Sequence, residues 1–416
     1  MNISQIFEDH VMQTYGRFPL TLVEGQGARV RDDAGREYLD FCMGIAVCSL
    51  GHCHPRVVSA IQAQAAKLTH VSNLYFTEPQ GLLAQEMNEN HIGLPGKIFF
   101  SNSGAEANDG LIKSARRYGH LRPQQDGKPR FEVITFKQSF HGRTLGSMAA
   151  TGQEKIQQGF DPMLPGFRYL PYNDIEGLES AISPETVAFL LEPIQGEGGV
   201  NTATKEFLDA LAQLCEKHDL LLMFDEVQAG FGRCGESMAW RTISPEINPD
   251  AISWAKGMGG GVPIGAFWLS DRIASDGKTK FSSLMGAGSH GSTYGGNPLV
   301  CSAALETLRE IREQNLPYQA KEHEKYIRET ITSWGLPVIT EIRGKGLLLG
   351  ISLNANLVKT EDGETPALKV VRQLIQRGLL LVPAGPETVR LLPPLNVTRS
   401  EIDEALALIY STLSEY

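Results

Sequence analysis

The sequence predicts an α/β fold: a mainly parallel sheet wrapped by helices, joined to a smaller α+β domain. Short apolar runs that do not alternate recur through the centre of the chain, as strands buried on both faces require. Helical patterns fall between several of these runs, which is the layout of strand-helix-strand units. Beyond about residue 300 the texture changes to long helical stretches with few strands, marking the smaller domain.

Taken in order, GARVRDDAGREYLDF (27–41) alternates and turns like a hairpin, with DDAG at the turn. KIFF (97–100), EVITF (132–136), VAFLLEP (187–193), LLLMFDE (220–226), AISWAK (251–256) and IGAFWLS (264–270) are the expected strands. Helices are expected over 105–118 and 204–217. In the second, Phe207, Leu208, Leu211, Leu214 and Cys215 share one face, so Cys215 reads as a small core hydrophobe. LVCSAALETLREIREQ opens a long helical stretch and GKGLLLGISL reads as a strand. ALKVVRQLIQRGLL reads as an amphipathic helix, and SEIDEALALIYSTL as a terminal helix with Ser400 as its N-cap. The large domain is expected over 51–302, with 1–50 and 303–416 forming the small one.

A net charge of −10 leaves no global basic field, which argues against nucleic acid as a partner. MNISQIFEDH lacks the blocks of a signal peptide, and no stretch reaches the ~18 apolar residues of a membrane span. Six cysteines in so long a chain do not make a disulfide framework. A cytoplasmic setting is expected. CSLGHCHP gathers Cys48, His52, Cys53 and His54, but no second pair with zinc spacing accompanies it, so turn and core packing is expected and no metal.

The chemistry-bearing residues stand at strand ends, where open α/β sheets bind ligands. SNSGAEAND (101–109) joins a strand to a helix, so Ser103, Gly104 and Ala105 are placed to cradle a phosphate on backbone N–H groups. The turn fits neither GxGxxG nor GxxxxGK[ST]. GSHGSTYGGNP (288–298) offers Ser292 and Thr293 among glycines, a flexible loop being the alternative reading. Asp225 and Glu226 end LLLMFDE, and a carboxylate after so apolar a run needs a cationic partner. Lys256 ends a later strand, directly before a cluster of glycines. Desolvation lowers a lysine's pKa, leaving a neutral amine that attacks carbonyls. A lysine for an aldehyde, an acid for a ring nitrogen and donors for a phosphate together fit pyridoxal 5′-phosphate.

SNSGAEAND, FHGRTLGSMAATG, EPIQGEGG, FDEVQAGFGR, WAKGMGGGVPIGA and GSHGSTYGGNPL follow one another as they do in class III pyridoxal-phosphate aminotransferases. The resemblance runs over nearly the whole chain. Its motifs are highly specific for the family and less so for the substrate. It is greatest to the acetylornithine and succinylornithine aminotransferases, through FHGRTL, GIAV followed by LGHCHP, and HGSTYGGNPL. It implies fold type I, with a seven-stranded sheet in the large domain. It further implies that Lys256 carries the cofactor and Asp225 pairs with its ring nitrogen. Gln228 would meet the phenolic oxygen, Val227 and Phe140 would cover the two ring faces, and Ser103, Gly104 and Ala105 would hold the phosphate. Thr293 resembles a residue reaching the same phosphate from a neighbouring subunit, which implies a homodimer. Arg143 resembles the arginine that grips a substrate carboxylate, Ser292 a substrate contact, and Glu197 with Arg390 a switchable pair. Tyr15 is expected to border the substrate pocket. His141 is read as orienting or structural, with Lys256 moving the proton.

The implied reaction carries the terminal amine of N2-acetylornithine to 2-oxoglutarate, giving N-acetylglutamate 5-semialdehyde and glutamate, in arginine biosynthesis. Ornithine, succinylornithine, succinyl-diaminopimelate and 4-aminobutyrate are the other donors within the resemblance, because RLLPPL resembles the ornithine aminotransferase pattern as well as the acetylornithine one and TYGR stands where relatives often carry TYAP. Decarboxylation or an aminomutase reaction would be different chemistry on the same cofactor. A non-catalytic binding protein is the remaining alternative, and the presence of both Lys256 and Asp225 argues against it.

Overall fold

The computed structural model describes residues 3–274 and 276–416. Its centre is a seven-stranded sheet. From edge to edge the order is Gly96–Ser101, Gly265–Ser270, Ala251–Trp254, Leu221–Asp225, Thr186–Leu191, Glu132–Phe136 and Phe167–Leu170. Gly265–Ser270 runs antiparallel to both neighbours, and the remaining pairings are parallel. Every residue of the four strands from Ala251–Trp254 to Glu132–Phe136 is buried, which is why their sequences do not alternate. All six expected strands are present. The seventh, Phe167–Leu170, lies at the sheet edge, where half-burial leaves no apolar run to read.

The helix Gly104–Leu121 lies close on the sheet. A side chain at Gly110 would put its Cβ 2.2 Å from Phe267 Cε1, so only hydrogen fits there. Lys205–His218, capped by Thr204, buries Phe207, Leu208, Leu211 and Cys215 as expected, and Leu214 packs part-buried against the same core.

The hairpin forms as read. Arg29–Asp32 pairs antiparallel with Glu37–Asp40, and Gly35 takes a φ of +82° at the turn. A further strand, Leu22–Gln26, extends it, and Leu379–Leu380 adds in parallel from the C-terminal part. The helices Pro298–Glu313, Leu316–Ser333 and Pro366–Arg377 follow the expected helical stretches.

Two expectations need correction. GKGLLLGISL supplies the strand Leu348–Leu353 as read, but its first residues end the preceding antiparallel strand Ile339–Lys345 and turn at Gly346, which takes a left-handed φ of +55°. The terminal helix Arg399–Leu413 is capped by Thr398, not Ser400. Thr398 Oγ1 accepts from Glu401 N at 3.3 Å while Glu401 Oε2 accepts from Thr398 N at 2.8 Å, a reciprocal box that Ser400 lacks the spacing to make.

His52 of CSLGHCHP bonds Asp40 Oδ2 at 2.8 Å, and that carboxylate, then Cys48, raises its pKa to about 10. Among the described residues no helix is long and apolar enough to cross a membrane.

Candidate active site

Strand register brings Asp225 level with Ser253, and Lys256 follows three residues later on the neighbouring strand's exit. Asp225 is buried and densely held. Its Oδ2 accepts from Asn108 Nδ2 at 2.7 Å and bonds His141 Nδ1 at 2.8 Å, while Oδ1 accepts from Val227 N at 3.0 Å. Asn108 is fixed in turn: its Oδ1 accepts from Ser253 Oγ at 2.6 Å and its amide also donates to His141 O at 2.7 Å. Among the described residues the buried His141 Nε2 has no partner.

Lys256 is half-buried at a left-handed φ of +42°, a conformation costly for a residue with a Cβ. The glycines beside it answer to packing. A Cβ on Gly257 would meet Ser49 Oγ at 2.3 Å, and one on Gly260 would meet Thr307 Oγ1 at 2.4 Å. Ser49 arrives there after four successive left-handed residues: Met43 (+50°), Gly44 (+62°), Ile45 (+63°) and Ala46 (+63°). Burial lowers the Lys256 pKa. Glu197 opposes that shift, Arg390 adds to it, and Asp225 and Glu192 oppose it, so all four charges act on one amine.

Ser103 caps the helix that begins at Gly104, its Oγ accepting from Glu106 N at 3.2 Å. Among the described residues nothing accepts from the N–H groups of Gly104 and Ala105, the first-turn donors that a helix leaves unpaired. Gly104 approaches Val227 so closely that a Cβ would stand 2.8 Å from Val227 Cγ1. This turn is therefore packed directly against the residue that follows Asp225 by two.

Phe140 and Arg143 stand together, with the guanidinium carbon 5.6 Å from the ring centroid. Arg143 is exposed, and among the described residues no carboxylate pairs with it. Arg390 is fully buried, and its two Nη atoms are engaged while, among the described residues, its Nε has no partner. Its Nη1 donates to Glu197 Oε1 at 2.8 Å, Gln228 Oε1 at 2.7 Å and Gly196 O at 2.7 Å. Gln228 closes the triangle through Nε2 to Glu197 Oε1 at 3.1 Å. Burial pushes the Glu197 carboxyl up, but Arg390 and Lys256 outweigh it and hold its pKa at about 2.

Ser292 rests on the same region. Its Oγ accepts from Asn102 Nδ2 at 3.1 Å and from Gly295 N at 2.9 Å, while Thr293 is exposed. Tyr15 lies 75 % exposed with Arg17 over its ring, and among the described residues no hydrogen bond or ring contact joins it to the residues around Lys256.

Three residues that sequence reading did not single out belong here: Asn108, Ser253 and Glu192. Glu192 ends a strand after the apolar VAFLL, the same signal that exposed Asp225. Glu226, the residue after Asp225, has different partners: its Oε1 accepts from Trp240 N at 3.0 Å. Burial raises the Glu226 pKa to about 7, and among the described residues its Oε2 has no partner. A carboxyl raised above its unfolded value stabilises the fold below the unfolded value, and that contribution is lost as pH rises through about 7. Glu226→Gln is therefore expected to be more stable than wild type at pH 8, by up to about 3 kcal/mol, and to show no such gain at pH 5. Urea denaturation at both pH values checks this, and an equal change at both would refute it.

A family profile described as "Aminotransferase class-III" matches residues 11–413. The acetylornithine aminotransferase of Caldanaerobacter subterraneus subsp. tengcongensis is 46 % identical over 98 % of each chain. Among solved structures, the N-acetylornithine aminotransferase of Stenotrophomonas maltophilia is 34 % identical, covers 99 % of this chain and 98 % of its own, and superposes with a TM-score of 0.80. The ornithine aminotransferase of Toxoplasma gondii is 31 % identical over 99 % of this chain and 94 % of its own, with a TM-score of 0.89. One crystal form of that protein is described as showing partial occupancy of PLP at the active site. With the whole chain matched in sequence and in fold, this protein belongs to the class III aminotransferases and is a transaminase dependent on pyridoxal 5′-phosphate.

Proposed function

We propose that this enzyme moves the terminal amino group of N2-acetylornithine to 2-oxoglutarate, yielding N-acetylglutamate 5-semialdehyde and glutamate, as a cytoplasmic step of arginine biosynthesis. The observation that carries the substrate reading is one arginine without a carboxylate partner and one arginine masked by a carboxylate. Among the described residues Arg143 has no carboxylate partner, whereas Arg390 is closed by Glu197. A donor with one carboxylate and no free α-ammonium needs only the first. A dicarboxylate acceptor needs both, and Glu197 must then give Arg390 up. Identity of 46 % with an acetylornithine aminotransferase, above the 31 % with an ornithine aminotransferase, supports the same choice.

The residues present fit the cofactor. Gly104 and Ala105 offer two unpaired N–H groups for its phosphate, with Ser103 beside them. Val227 and Phe140 are placed to cover its ring, with Gln228 beside its phenolic oxygen. Asp225 would meet the ring nitrogen, and its three hydrogen-bond partners fix the orientation of its carboxyl group. When bound, pyridoxal phosphate supplies an aldehyde that joins amines and a ring that withdraws electrons from the breaking C–H bond. Lys256 Nζ, its charge disfavoured by burial, holds the cofactor and then moves the proton released from the donor's Cδ. Arg143 grips the carboxylate as a planar fork.

A second subunit belongs to the reading. Leu74, Tyr75 and Phe76 are exposed in succession, and Tyr294, next to Thr293, is exposed as well. A homodimer burying them would bring Thr293 to the neighbour's phosphate, Ser292 to its substrate, and Tyr15 towards a pocket that its own chain does not give it. The pairing of Leu379–Leu380 with Glu37–Asp40 supports counting 1–50 with 303–416 as the small domain.

The test is a donor panel with 2-oxoglutarate as acceptor. Acetylornithine is expected to bleach the cofactor's visible band fastest and to give the highest kcat/KM. A clear preference for free ornithine or 4-aminobutyrate would overturn the substrate assignment.

A further inference from the structure

Glu192 sits where two site loops meet. Its Oε1 accepts from Phe140 N at 2.9 Å and its Oε2 accepts from Gly196 N at 3.1 Å, and only 6 % of the residue is exposed. One loop carries Phe140 to Arg143. The other carries Gly196 and Glu197, and Gly196 O is itself a partner of Arg390 Nη1 at 2.7 Å. The strand Thr186–Leu191 ends just before Glu192, and the backbone O of Glu192 accepts from Tyr172 OH at 2.7 Å, so the carboxyl hangs from a fixed support.

We propose that Glu192 is a positioning residue whose carboxylate, by holding one N–H group of each loop, sets the span between Arg143 and Arg390 and so governs recognition of the dicarboxylate acceptor. The inference rests on the roles given above to the two arginines. The monocarboxylate donor uses only Arg143 and is little affected by the span. The acceptor must meet both arginines at once, so its binding depends on that distance.

Ionisation adds a signature. Burial raises the Glu192 pKa to about 7, His141 opposing the rise and Asp225 adding to it. Lys256 and Tyr172 also feel its charge. The ionised carboxylate has acceptors for both N–H groups, whereas protonation turns one oxygen into a donor. The grip on the two loops is therefore complete above about pH 7 and weakened below it.

Glu192→Gln copies the weakened state at every pH, since its amide nitrogen opposes one backbone N–H. In the holoenzyme the variant is expected to raise KM for 2-oxoglutarate about tenfold and KM for acetylornithine less than about threefold. Wild-type KM for 2-oxoglutarate, relative to that for the donor, is expected to rise as pH falls through about 7, and the variant to lose this dependence. Hydrogen exchange of the peptides holding Phe140 and Gly196 is expected to speed up in the variant, independently of turnover. Equal KM changes for both substrates, or a flat wild-type ratio across this pH range, would overturn the proposal. The wild-type titration needs no variant, so it decides even where Glu192→Gln fails to fold. Arg143→Gln and Arg390→Gln run in parallel separate the two readings. If Arg390→Gln weakens donor and acceptor alike, the substrate assignment fails, whereas a selective acceptor loss there with no selective loss in Glu192→Gln overturns the role of Glu192 alone.

Discussion

Lys256→Ala is expected to lower turnover by at least about 10²–10⁴-fold, the contribution of one positioned proton-transfer group, and to lose the visible absorbance of the bound cofactor. The loss will not come from unfolding. Burial disfavours the lysine's charge, so its pKa is lower in the folded chain than in the unfolded one. The folded state thus binds fewer protons, and at neutral pH the charged amine weakens the fold. Removing it relieves that penalty, and the left-handed φ of +42° is no harder for alanine than for lysine. Thermal melts of the two cofactor-free proteins should show the variant at least as stable as wild type. A variant that melts markedly lower would mean that Lys256 is a packing residue, and the catalytic assignment would fall.

Asp225→Ala should cost both fold and activity. It strips acceptors from Asn108 Nδ2, His141 Nδ1 and Val227 N, and the first two belong to fully enclosed side chains. Each buried group left unsatisfied costs about 1–3 kcal/mol, so a loss of several kcal/mol in urea denaturation is expected. Asp225→Asn separates the two effects. It keeps the volume and an acceptor oxygen but removes the charge set against the cofactor's ring nitrogen. The fold should survive while kcat drops about 10²–10³-fold. Near-normal kcat in Asp225→Asn would show that the charge has no part in the reaction.

The strand ends were legible because they break a pattern. A carboxylate or an ammonium placed directly after a fully apolar run stands out, and Asp225, Lys256 and the Ser103 turn all do so. Glu192 carries the same mark, yet a motif read as a unit hid it. The sheet's buried strands were legible for the same reason, and its half-exposed edge strand, Phe167–Leu170, was not. The Glu197–Gln228–Arg390 triangle joins residues 31 and 162 positions apart, so only the fold could show that the three share protons. The left-handed run from Met43 to Ala46 was hidden because only one of its residues is glycine, the usual sign of such backbone. Tyr15 and Thr293 are exposed in the single chain, and the role the resemblance implies for Thr293 is at a neighbouring subunit's site.

Reduction of the purified holoenzyme with borohydride, followed by peptide mapping, tests the foundation most directly. The phosphopyridoxyl mass should appear on Lys256 and on no other lysine. Finding it elsewhere, or nowhere in a protein that turns over, would contradict the account.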